Sequence, residues 1–120
     1  MLIIDRQSFL AIEGSVLYTK LRKNCGPDEG LFIKVGNAGN NDWRYDSIDA
    51  AGALECGSSD ELWEKISSME KDPNEHAAID YETTSRDGFF EGDDVKFVVF
   101  DKADVERLSG RISKLLENMK

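Results

Sequence analysis

The stretch "GLFIKVGNAGNNDWRYDSI", residues 30–48, decides the fold. Residues 30–36 form an apolar run of strand character, and residues 42–48 alternate Trp43, Tyr45 and Ser47 with polar neighbours. Between them, "NAGNN" (37–41) is built from residues that accept positive φ. Two strands joined by so short a turn predict a β-hairpin, and hence an antiparallel sheet.

Upstream, "SVLYTKLR" (15–22) sets Val16, Tyr18 and Lys20 against Leu17, Thr19 and Leu21, which predicts another strand. Before it, Asp5 can cap a short helix, "RQSFLAI", which Gly14 ends, and residues 2–4 read as a brief extended segment. Downstream, Ser58 followed by Glu61 has capping-box form and opens a helix over 58–72. Leu62, Ile66 and Met69, with Trp63 beside them, form its expected apolar stripe. A strand is expected over 76–84, with Ala77, Ile79 and Tyr81 on one face. Another over 94–100, "DVKFVVF", is apolar enough to be central. Asp101 then caps a long helix to residue 120, where Val105, Leu108, Ile112, Leu115 and Met119 recur at 3-4-3-4 spacing. Two heptads are short for a coiled coil, so the seam is expected to pack on the chain's own sheet, with pairing to another chain as the alternative. The sum is a single α+β domain over 1–120: a mostly antiparallel sheet of about five strands, two main helices and a short N-terminal helix.

Charge is unevenly spread. The net charge is −9, and residues 58–94 alone hold 12 acidic against 3 basic side chains, while residues 95–120 hold 6 basic against 4 acidic. Such a field attracts basic protein partners and repels nucleic acid and anionic membranes. The opening "MLII" is too short for a secretory h-region, and no apolar run approaches the ~20 residues of a membrane span. Cys25 and Cys56 lack the spacing and histidine partners of a zinc site and read as reduced cytosolic thiols.

Residues 85–100, "SRDGFFEGDDVKFVVF", pose the functional question. As a calcium loop centred on Gly88, the stretch puts Thr83 first and Asp94 twelfth, where a carboxylate and a bidentate Glu are required. Paired carboxylates for acid–base work need burial, and this turn of Gly, Ser and Thr supplies none. His76 has no marked nucleophile, no serine stands in a Gly-x-Ser-x-Gly elbow, and no phosphate loop occurs. The reading is therefore non-enzymatic, with no catalytic residue, metal or cofactor. The stretch is expected to be a loop joining strands 76–84 and 94–100, with one of Phe89 and Phe90 turned inward and Arg86 paired with a nearby acid.

Together "IDRQSFLAI", "SSDELWE" and "SRDGFFEGDDVKFVVFDKADVERL" resemble small acidic proteins encoded in tailed phages and prophages. The resemblance covers most of the chain and implies a bacterial cytoplasmic setting. It carries over no catalytic residue, and implies action by binding and blocking a host protein. The expected function is binding of a basic host or phage protein, such as a defence or nucleic-acid-processing factor, by carboxylates placed where phosphates would lie. The candidate contacts are Asp60, Glu61, Glu64, Glu91, Asp93 and Asp94. A small-ligand or enzymatic domain with an unmarked pocket, and a homo-oligomeric structural protein joined through 101–120, are the alternatives.

Overall fold

The 30–48 hairpin forms as its sequence predicts. In the computed structural model, which describes every residue except Asp28, Glu55, residues 87–91 and Asp93, β3 (Phe32–Asn37) and β4 (Trp43–Ser47) pair antiparallel. The Ala38 amide donates to the Asp42 carbonyl at 2.9 Å, and Gly39 supplies the positive φ, +84°, that the turn requires. The register shifts between Lys34 and Gly36 of β3, while on β4 Trp43 and Tyr45, two residues apart, both turn toward the core.

Around this hairpin lie β1 (Leu2–Ile4), α1 (Arg6–Ala11) and β2 (Val16–Leu21), then α2 (Ala50–Ala53), α3 (Ser59–Lys71), β5 (Ser85–Arg86), β6 (Lys96–Phe100) and α4 (Lys102–Asn118). The class is α+β. Among the described residues the sheet has six strands rather than five, in the order β1-β6-β2-β3-β4-β5, with every pair antiparallel. The extended segment at residues 2–4 becomes the extra strand, because β6 offers it a free edge.

The strand expected over 76–84 does not form. Ile79 makes only an isolated bridge with Leu54, and the Asp80 amide donates to the Ala53 carbonyl at 2.8 Å. The Asp80 carboxylate accepts from the Glu82 amide at 2.9 Å, a local turn that competes with a ladder. Pairing resumes at Ser85–Arg86, on the edge of β4, and Arg86 meets the nearly buried Asp42 carboxylate at 3.3 Å. The expected neighbours 76–84 and 94–100 are thus far apart in the sheet: β6 sits between β1 and β2, with β2, β3 and β4 separating it from β5. An apolar strand such as β6 is best covered by ladders on both sides. The expected inward turn of Phe89 or Phe90 lies outside the described residues.

The first face of the sheet carries the core. Phe9 of α1 is fully buried, stacked on Phe97 with centroids 4.2 Å apart and edge-on to Tyr18 and Trp43 at 4.7 and 4.9 Å. Burying one such side chain stabilises by roughly 1.5–3 kcal/mol. Polar side chains hold this short helix in place. Lys34 is fully buried, and its ammonium donates to the carbonyls of Phe9 and Ile12 at 2.8 and 3.0 Å, at the negative end of α1. Asn37 donates to the Leu10 carbonyl at 3.1 Å, and Arg6 donates to the Asn41 carbonyl at 2.6 Å. At the other end of the chain Asp101 caps α4 in a reciprocal box with Asp104. The Met1 amino group lies 2.8 Å from Asp104 and, as the chief cause, holds that carboxyl well below the usual range.

The seam of α4 is not packed as expected. It faces the second face of the sheet across a gap, and no residue of the helix is buried. The Cα radius of gyration is 16.1 Å, against about 13–14 Å for a compact chain of this length.

Candidate functional site

The acidic candidates divide between two places. On α3, the Ser58 hydroxyl accepts from the Glu61 amide at 3.2 Å, and Glu61 in turn accepts from the Gly57 amide at 2.7 Å. That bond, with help from Lys65 at 3.5 Å, holds the Glu61 carboxyl below its ordinary pKa. Glu61 is therefore committed to the helix start, and it is half-buried. Asp60 and Glu64, one turn apart, are exposed. Asp94 is exposed in the turn before β6, which β2 and β3 separate from the strand leading toward α3. Glu91 and Asp93 lie outside the described residues.

The structure corrects the reading of Trp63. Leu62, Ile66 and Met69 are half-buried on the inner side of α3, but Trp63 points away from them and is 65% exposed. It shares the outer face with Asp60, Glu64 and Ser67. A shallow depression of about 420 Å³ lies there, lined by Trp63, Glu64, Ser67, Ser68 and Lys71. Helical arithmetic places residues 60, 63, 64 and 67 within about 100° of one another, so this separation was legible in the spacing alone. An indole in water adds little to the fold, since Trp stabilises a fold by being buried.

The second candidate surface is apolar. Leu17, Ile33 and Phe100 of the second sheet face, with Val105, Leu108 and Ile112 of α4, line an open groove of about 820 Å³. Among the described residues its only charged lining side chains are Asp101 and Lys102, at one end.

Buried charge elsewhere serves the fold. Asp46 accepts from the Thr84 hydroxyl at 2.8 Å, and Asp42 pairs with Arg86, so both fasten the β5 edge. Burial pushes the Lys34 ammonium below its ordinary pKa. His76 is exposed, Cys25 is an exposed free thiol and Cys56 a half-buried one. Among the described residues no three His, Cys, Asp or Glu side chains gather as a metal site, and no helix is long and apolar enough to cross a membrane.

Among the described residues, the fold is α+β with an antiparallel sheet, and it carries a charged aromatic patch on α3 and an apolar groove beneath α4. No protein-family model, curated protein or solved structure matches the chain.

Proposed function

We propose that the chain is a non-enzymatic binding protein that grips a basic protein through the outer face of α3. The observation that carries this reading is Trp63, 65% exposed on the same helical face as Asp60 and Glu64. An exposed indole flanked by carboxylates suits an Arg or Lys side chain, which stacks on the ring while its charge meets the acids. The net negative charge of residues 58–94 steers such a partner toward α3. The likeness to phage and prophage proteins supports a setting in the cytoplasm of a bacterial host. The partner class is a host defence or nucleic-acid-processing protein whose phosphate-binding surface the carboxylates occupy.

The test is affinity capture from infected or lysogenic cells with wild type, Trp63→Ala and the pair Asp60→Lys, Glu64→Lys. A shared basic partner, held by wild type and lost by both variants, is the expected result. A partner retained equally by both variants overturns the assignment of the surface.

A further inference from the structure

The groove beneath α4 is apolar and wide, about 820 Å³, and its geometry constrains what covers it. The helix turns Val105, Leu108 and Ile112 into the groove, and the same seam runs on through Leu115 and Met119 with Leu116 beside them. Those last three residues are 49%, 64% and 69% exposed. A small apolar molecule filling the groove reaches only as far as Ser113, and leaves the end of the seam in water. The occupant must therefore be long as well as apolar.

The surface area points the same way. The chain exposes 8498 Å², whereas a compact monomer of its mass exposes about 6,500 Å². The excess, about 2,000 Å², exceeds the ~800 Å² that each partner contributes to a standard interface. A single protein contact of standard size through α4 and the sheet face would remove a large part of it.

Charge narrows the choice of partner. Residues 1–94 hold 9 basic and 20 acidic side chains, so a basic amphipathic α4 would bring a strongly negative body against an anionic membrane. Residues 95–120, by contrast, hold 6 basic and 4 acidic side chains, so two such segments meet with only a small like charge between them. The groove lining is nearly free of charge, which disfavours a strongly basic segment and suits a seam of Val, Leu, Ile and Met.

We infer that the groove is occupied by α4 of a second copy of this chain, in an isologous dimer in which each seam covers the other copy's sheet face. The helix offers 17 residues, about 25 Å, which is long enough to cover the groove and its own exposed end together. This pairing does not rest on the reading of α3, because Trp63 lies on a different helix that the contact does not use.

Sedimentation of the full chain between ~1 and ~100 μM tests it, since linked assembly depends on protein concentration. Wild type is expected to be dimeric, Ile112→Glu to dissociate at least ~tenfold more readily, and Trp63→Ala to remain dimeric. Leu116→Gln guards against a folding defect, because a residue 69% exposed is not needed by the monomer core. It too is expected to weaken the dimer while far-ultraviolet circular dichroism stays unchanged. A chain that stays monomeric throughout overturns the inference, as does a dimer that both variants leave intact. An apolar molecule extracted from a monomeric wild-type preparation, or flotation of the monomer with anionic vesicles, overturns it in favour of that occupant.

Discussion

The indole Nε1 of Trp43 donates to the Tyr18 hydroxyl at 2.8 Å, and both side chains are fully buried. Trp43 belongs to β4 and Tyr18 to β2, so the bond reaches past β3 and ties two strands that share no ladder. Both rings also lie against Phe9, which makes the pair the polar centre of an otherwise apolar cluster.

Tyr18→Phe leaves the Trp43 N–H without its acceptor in a dry core. The expected loss is about 1–3 kcal/mol, the desolvation penalty of an unmet buried donor. Urea unfolding measures it. Tyr18→Phe combined with Trp43→Phe is expected to cost less than the two single changes added together, because the second change removes the orphaned group.

Lys34 links stability to pH. Its pKa is pushed down by burial from an ordinary 10.5, so between the lowered value and 10.5 the unfolded chain binds more protons than the folded one. Stability attributable to Lys34 therefore rises with pH through that window. Lys34→Met strips the Phe9 and Ile12 carbonyls of their donor and is expected to lose about 1–3 kcal/mol at neutral pH. The gap between wild type and variant should widen as the pH is raised toward 10 in parallel urea titrations. Parallel pH profiles would show that this lysine does not titrate differently in the two states.

Gly52 lets α2 approach β4. A Cβ at this position would collide with the Cβ and Oγ of Ser47. Gly52→Ala is expected to destabilise by about 1–3 kcal/mol despite alanine's better helix propensity, and pairing it with Ser47→Gly should recover much of the loss. Thermal melts of the three variants provide the measurement.

Phe9→Ala and Leu115→Ala separate the core from the seam. Phe9, fully buried, is expected to cost about 3–5 kcal/mol at any protein concentration. Leu115, 49% exposed, should cost less than about 1 kcal/mol in a dilute monomer and more as concentration rises. A loss at Leu115 that is large and independent of concentration would return the seam to the chain's own sheet.

Local signals in the sequence carried the elements whose chemistry is self-contained. The 37–41 turn and the alternation of Trp43 and Tyr45 predict the hairpin, and Ser58 and Asp101 mark helix starts that both form. What escaped was decided by distant neighbours. Nothing local marks Lys34 as buried, yet its ammonium finds the open carbonyls at the end of α1, which lies far from it in sequence. Residues 76–84 alternate like a strand, but Ile79 and Tyr81 have no sheet face to meet and stay exposed. Of the acidic candidates on α3, Asp60 and Glu64 are exposed and Glu61 is half-buried, and the place of Trp63 on their side of the helix follows from helical spacing.

The position of β6 has a consequence for how ribosomes deliver this chain. The β2–β3–β4 meander can close as soon as it leaves the exit tunnel, because its turns are local. The strand at Leu2–Ile4 cannot pair until Lys96–Phe100 is made, since β6 is its only neighbour in the sheet. At ~5–20 residues per second that wait lasts on the order of 5–20 s. Throughout it the apolar edge of Val16–Leu21 stands open to other nascent chains. β6, made after the five strands it joins, is thus the wedge that closes the sheet from within, and substitutions in 96–100 should show themselves first as aggregation during expression, before any loss in the purified protein's stability is measured.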